Sequence, residues 1–258
     1  MIKESKHRIK LTETPFLRKI GELLGEIISR KSFVNLKTGR IEDYPDYVQT
    51  QVDEYIESVF KPAGNILNVY EQLEFIPVFI SKFSEPEFHE DNGINHPKYI
   101  QYHIENHYMK IATIFDLSII LISEIYRLGI PPKLTSYQQL TENKITKNSK
   151  SIQIIKKFDK AIKGIKTIRN LIAHRGEFDD LELNKVHRYF FVSNPKTDEK
   201  PLFTKEALNS QMDELIDKKM ELVNKNNLAV YKIIEDIFEE SLTILEQKIS
   251  ELSNKNCR

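Results

Sequence analysis

At 258 residues the chain is long enough to bury a sizeable core, as one large domain or two small ones. Its 38 basic and 38 acidic residues cancel, which excludes a global field drawing the molecule onto nucleic acid or membrane; any such attraction has to be local. The single cysteine, Cys257, excludes an internal disulfide and disfavours a cysteine-ligated metal, and Met1 to Lys6 carry no apolar run of the secretory kind, so a reducing, cytoplasmic setting is the expectation.

Eight glycines, long apolar patterns of period 3.6 and the lack of an Asn-Gly hairpin signal predict an all-α fold. In chain order, Thr14 followed by Pro15 opens a helix to about Arg30, because threonine can cap and proline suits the first turn. Two further helices are read over residues 46–60 and 62–81, divided at Pro62. Pro86, Gly93 and Pro97, set among Asp, Asn, Glu and His, mark a loop. The main boundary is placed there, with 1–95 as an additional N-terminal helical region of unassigned role and 96–258 as a helical bundle.

The second part begins with a helix over residues 98–128, stopped by Gly129 and the pair Pro131-Pro132. It is apolar on most sides and is read as the central helix. Its most apolar stretch, residues 111–125, contains Asp116, Ser118 and Glu124 and falls short of the roughly 20 apolar residues a bilayer requires, so no membrane span is expected. A polar linker over 131–149 leads to one helix over 150–175, with Gly176 as its stop. Residues 186–195 fit either a helix end or a short extended piece. Thr204 then caps an amphipathic region reaching Leu252, broken near Asn226-Asn227 into two helices. The resulting four helices suit an antiparallel bundle.

On a wheel of about 100° per residue with Arg169 at zero, Ile154, Phe158, Ala161, Ile165, Ile168 and Ile172 centre near about 310°, the side that should face a core. Lys156, Lys160, Lys163, Lys166, Asn170 and His174 share the side between about 60° and 180°. From Asn143 to Arg175 there are ten basic residues against one acid, Asp159, a local charge able to hold phosphates through Coulomb attraction and counterion release. The same row also fits a solvated helix face. Arg169 sits only about 50° from the centre of the apolar arc, so a partner is sought for it. Asp116, inside an apolar run and costly there without a cation, is the candidate, as an ion pair that fixes helix register.

The stretch Arg169-Asn170-Leu171-Ile172-Ala173-His174 resembles the signature of the HEPN superfamily: an arginine, a polar residue, a few variable residues, then a histidine. No other arginine here has a histidine five to seven positions downstream, and the motif closes a predicted bundle helix. The resemblance is read over about Lys98 to Leu252. It implies a four-helix bundle, commonly dimeric, whose catalytic members are metal-independent endoribonucleases that act as toxins, in phage defence or in RNA processing. Other members keep the fold and only bind RNA or a protein partner. Carried onto this chain, the catalytic residues are Arg169, His174 and Asn170. The RNA-binding cations are Lys156, Lys160, Lys163, Lys166 and Arg175; the partners are RNA, a second copy and an antitoxin or regulatory protein; and no cofactor is needed.

The chemistry is intelligible without the family. RNA carries its own nucleophile, the 2′-hydroxyl, so a protein need only move a proton, neutralise charge on the phosphorane and hold the geometry in line. An imidazole titrating near about 6.5 can move the proton, a planar guanidinium can grip the non-bridging oxygens, and Asn170 can orient the imidazole or donate to the phosphate. Arg169 and His174 lie about 140° apart on a straight helix, which is resolved if two copies meet across a two-fold axis and form a composite site.

Other features point elsewhere. His103 and His107, four apart, lack the glutamate of a His-Glu-x-x-His pair and read as core or interface histidines rather than metal ligands. His89 and His96 read as surface residues, and Glu177, Asp179, Asp180 and Glu182 as a solvated helix start. No Walker loop or Gly-x-Gly-x-x-Gly run is present, which disfavours nucleotide hydrolysis and dinucleotide chemistry.

Overall fold

The structure, a computed structural model, describes residues 10–176, 178–193 and 201–255. The all-α expectation holds. The elements are α1 (Pro15–Lys31), a hairpin of β1 (Ser32–Asn35) and β2 (Arg40–Asp43), α2 (Gln51–Ile80), α3 (Pro86–Asp91), α4 (His96–Ile125), α5 (Tyr137–Glu142), α6 (Lys150–Ala161), α7 (Lys163–Arg175), α8 (Leu181–Ser193) and α9 (Lys205–Lys255). Contacts divide the chain into two compact units. One takes in the chain up to Tyr70, Ile114–Lys160 and the chain from Tyr231 onward; the other takes in Glu71–Thr113 and Ala161–Val230. Both therefore draw on chain from either side of residue 95.

The first unit is centred on Ile20, Val59, Ile66, Ile114, Phe158 and Phe238, all buried. The Phe115 and Phe158 rings meet edge to face at 5.4 Å and Phe16 lies 5.3 Å from Phe238, a geometry that adds to area burial. Asp53, at the start of α2, is 1% exposed and accepts from Arg30 (2.8 Å), Tyr47 (2.9 Å) and the Thr50 backbone (3.0 Å). Burial pushes its carboxyl up, but these donors outweigh it and hold it below the usual carboxylate range.

Several boundaries differ from the sequence expectation, each for a tertiary reason. α1 begins at Pro15 as predicted, but the Thr14 hydroxyl donates to the Leu11 carbonyl (2.7 Å) instead of capping the helix. The hairpin was not foreseen: its turn closes through an Asx contact, Asn35 Oδ1 accepting from Lys37 N, and through Gly39 at φ 67°, in place of Asn-Gly. α2 runs straight through Pro62. The lost N–H costs about 3 kcal/mol, offset because Pro62 and its neighbours Val59, Ala63 and Ile66 are all buried.

Helix α4 starts earlier than predicted, with Asn95 Oδ1 accepting from Lys98 N (3.0 Å), so Pro97 lies in a first turn where proline is tolerated. It ends at Ile125, before Gly129. Arg127 takes the left-handed conformation (φ 54°), with Leu128 N donating to Ser123 O and Arg127 N to Glu124 O, a Schellman closure without glycine. The Tyr55 hydroxyl donates to the Ile125 carbonyl (2.9 Å) and the Arg127 guanidinium sits 5.8 Å above the Tyr55 ring, so packing fixes a stop that local propensity would not choose. The expected linker holds α5, nucleated by a reciprocal Ser136/Gln139 capping box and pinned by buried Leu140.

The second unit is centred on Leu73, Ile76, Ile100, Ile104, Leu183 and Val223, again buried. Residues 181–193 form α8, so the open segment is helical from 186 to 193, and its last two residues lie outside the described residues. α9 is a single helix; Thr204 caps it through Oγ1 to Ala207 N (3.3 Å), but the break at Asn226-Asn227 does not occur. Asn227 is buried, donates to the Leu73 carbonyl (3.2 Å) and accepts from His107 Nε2 (3.0 Å), so the residue expected to interrupt the helix instead ties it down. His107 is thus a core histidine. His96 is not a free surface residue: its ring stacks on Phe83 at 4.5 Å and burial holds its pKa below the usual imidazole value.

Candidate active site

The predicted single helix over 150–175 is two helices. Ile162, buried, leaves helical geometry (φ −103°, ψ 11°), and Gly164, with its high intrinsic helix cost, lies just beyond it. α6 is a well-anchored amphipathic helix with Ile152, Ile154, Ile155 and Phe158 buried. α7 carries no fully buried residue: Ile165, Ile168, Leu171 and Ile172 are all half-buried. The apolar arc read as core-facing along both helices is therefore core only along α6.

Because of the break, the wheel holds within each helix but not across them. Lys156 and Lys160 lie exposed on α6, in the first unit. Lys163, exposed, and Lys166, half-buried, lie on α7 in the second unit, with Asn170 and His174, both exposed. Within α7 alone, Lys163, Asn170 and His174 fall inside about 40° of one another, spread over ~16 Å along the axis. The uninterrupted lysine row thus reduces to two pieces, and part of the basic charge is compensated: Lys157 pairs with Asp236 (2.9 Å) and Lys150 with Glu240 (3.2 Å), both on α9. Both lysines are exposed and both acids half-buried, so these pairs are worth little in stability but lower the local field.

Arg169 is half-buried, as its place near the apolar arc implied, and its Nη1 donates to Asn170 Oδ1 (3.1 Å). Asn170 therefore holds the guanidinium of its neighbour, a contact that the two expected roles, orienting the imidazole or donating to the phosphate, do not include. Asp116 is exposed on α4, so the cost of a buried carboxylate, which was the reason for pairing it with Arg169, does not apply. His174 and Arg175 occupy the last turn of α7, exposed, where the Arg175 guanidinium complements the helix dipole. Gly176 then closes the helix as predicted, left-handed at φ 64°, its N–H donating to the Ile172 and Leu171 carbonyls.

What holds this end in place was missed from sequence. Phe178 packs against Tyr108, ring centroids 6.0 Å apart. Asp180 Oδ1 accepts from Leu183 N (3.0 Å), capping α8, and both its carboxylate oxygens accept from Lys219 Nζ (2.7 and 3.0 Å). Lys219 is 5% exposed, so this is a buried charge pair that would be strongly destabilising to break on one side. Of the acidic cluster read as a solvated helix start, Asp180 is thus a structural anchor, Asp179 accepts from Asn184 Nδ2, and hydrogen bonds from Lys218 and Lys219 hold Glu182 below the usual carboxylate range; Glu177 lies outside the described residues. The capping aspartate was readable from its position before Leu181-Glu182-Leu183. The burial of Lys219 was not.

A family model of HEPN type matches residues 25–252. The chain belongs to the HEPN family. The match takes in α2 and the hairpin as well as the later helices, so HEPN likeness extends well before the Lys98 limit drawn from the motif alone. In this HEPN chain the Arg-Asn-x-x-x-His stretch forms the C-terminal half of α7. No curated protein and no solved structure matches the chain. Among the described residues no cluster of three or more His, Cys, Asp or Glu is arranged to hold a metal ion, and no helix is long and apolar enough to cross a membrane.

Proposed function

We propose that this HEPN chain is a metal-independent endoribonuclease with Arg169, Asn170 and His174 as its catalytic group. The observation that carries the reading is an imidazole standing exposed in the last turn of α7, on the same helix as a guanidinium that donates to the neighbouring asparagine, in a HEPN fold. In the reaction, an imidazole removes the 2′-hydroxyl proton, the 2′ oxygen attacks phosphorus, and the 5′ oxygen leaves with a proton returned to it. The products are a 2′,3′-cyclic phosphate and a 5′-hydroxyl. Arg169 neutralises the phosphorane, and proton transfer of this kind contributes about 10² to 10⁴ in rate.

Two copies complete the site. Asn170 and His174 stand exposed on one side of α7, and this is the face that a second copy would meet. A two-fold contact between the Asn170/His174 faces of two copies brings two His174 rings together, one as base and one as acid, and removes the difficulty that Arg169 and His174 diverge by about 140° on one helix. Lys156, Lys160, Lys163, Lys166 and Arg175 would hold the flanking phosphates. Cleavage of cellular RNA arrests growth, which suits a toxin or phage-defence effector restrained by an antitoxin or regulatory protein.

The test is incubation of the purified protein with labelled structured RNA in excess chelator, beside His174→Ala and Arg169→Ala. Cleavage that yields cyclic phosphate ends and is lost in both variants supports the nuclease. Binding without cleavage by the parent replaces it with a non-catalytic HEPN module that holds RNA. Full activity from a strictly monomeric protein removes the composite site.

A further inference from the structure

A cavity of about 240 Å³ lies in the first unit, apart from the motif, walled by Ser58, Lys61, Pro62 and Asn65 of α2, by Leu117, Ile120 and Glu124 of α4, and by Pro132. That volume is below the ~300 to 1,000 Å³ of sites for drug-sized molecules, so its occupant is small. Leu117, Ile120, Pro62 and Pro132 give it an aliphatic lining.

Of its two charged groups Lys61 is exposed and Glu124 is not, so the carboxylate is the more enclosed of the two. Glu124 stands in the last turn of α4, where the helix dipole already presents partial negative charge, and is only half-exposed. Pro62 has no N–H, so the helical donor that the Ser58 carbonyl would receive from position 62 is missing on the wall of the same cavity. Both features disfavour an anion and favour a positively charged donor. Burial alone holds the Glu124 carboxyl above the usual carboxylate range, with the Ser58 hydroxyl pulling the other way, and a cation beside it would oppose that rise.

We propose that this cavity binds a small aliphatic ammonium ion, its apolar body against Leu117, Ile120 and Pro132 and its N–H groups directed to the Glu124 carboxylate and the Ser58 carbonyl. The site is independent of the RNA-cleavage reading and stands or falls separately. Lys61 is the competing cation among the lining residues: where its own ammonium visits Glu124, an added amine must displace it.

The experiment titrates cyclohexylammonium chloride into protein carrying isotope-labelled Ile and Leu methyl groups, with cyclohexanol as the uncharged control. Saturable shifts at Leu117 and Ile120, with a Kd of order 1 mM or tighter, are expected for the amine and not for the alcohol. Glu124→Gln should weaken binding at least about tenfold, and Lys61→Met should leave it unchanged or strengthen it. Ile120→Trp, which fills the cavity without touching the charge, should abolish it. An amine that fails to saturate those methyls, alcohol binding as tight as amine binding, or full affinity in Glu124→Gln or Ile120→Trp overturns the proposal.

Discussion

His107 makes folding stability depend on pH in a way that can be calculated and isolated. Its ring is 0% exposed, donates from Nε2 to the Asn227 amide oxygen (3.0 Å), and leaves Nδ1 buried without a partner. Burial drives its pKa down to about 4, against the opposing pull of the Asn227 hydrogen bond. Above the unfolded value of about 6.5 both states are neutral and no penalty exists. As pH falls from there toward about 4, the unfolded chain takes up a proton that the folded chain refuses, so stability drops. Each unit of difference is worth about 1.4 kcal/mol, giving a total near 3 kcal/mol, of which about 2 kcal/mol falls between pH of about 7.5 and about 5. His96, His103 and His187, also held low by burial, act in the same direction, so the measurement has to be a difference. His107→Gln keeps a donor for Asn227 and cannot titrate. Urea unfolding followed by far-ultraviolet circular dichroism at the two pH values should show the parent losing about 2 kcal/mol more than the variant. An equal loss in both proteins would refute the assignment of this pH dependence to a neutral, buried His107.

Three further outcomes follow from named contacts. Gly176→Ala places a Cβ at φ 64° and should cost about 1 kcal/mol, read as a fall in urea midpoint; on the proposed nuclease function it should also reduce cleavage, because the end of α7 bearing His174 frays. Tyr55→Phe removes the donor to the Ile125 carbonyl while keeping the ring under Arg127; it should cost about 1 to 3 kcal/mol in the same assay. Lys156→Ala combined with Lys160→Ala should leave unfolding unchanged within about 0.5 kcal/mol and lower the slope of log affinity against log salt for single-stranded RNA by about 1.4; an unaltered slope would take these lysines out of the RNA path.

Features that depend on neighbours in sequence were legible without coordinates. Pro15 at a helix start, Thr204 as a cap and Gly176 as a stop act within one turn, and the structure places all three where the sequence implied. Features decided across the fold were not. Asn227 is a poor helix former until His107 and the Leu73 carbonyl engage it, and Arg127 is an unusual left-handed residue until Tyr55 lies beneath it. Pro62 should divide a helix, and does not because the surrounding turns are buried. At the site, the motif itself was visible and so was the half-burial of Arg169. The break at Ile162, which divides the lysine row, and the exposure of Asp116 follow from packing that a helical wheel does not contain.

Helices α2, α4 and α9 each give part of their length to one compact unit and part to the other. A practical rule for fragment design follows. No single scission liberates either half with its interior complete, since a piece beginning at residue 96 would arrive without Val59 and Ile66 on one side and Leu73 and Ile76 on the other. Trimming this polypeptide to the portion that carries the motif should accordingly yield insoluble material, whereas nicking it at the α4–α5 or α8–α9 connection should leave the pieces associated.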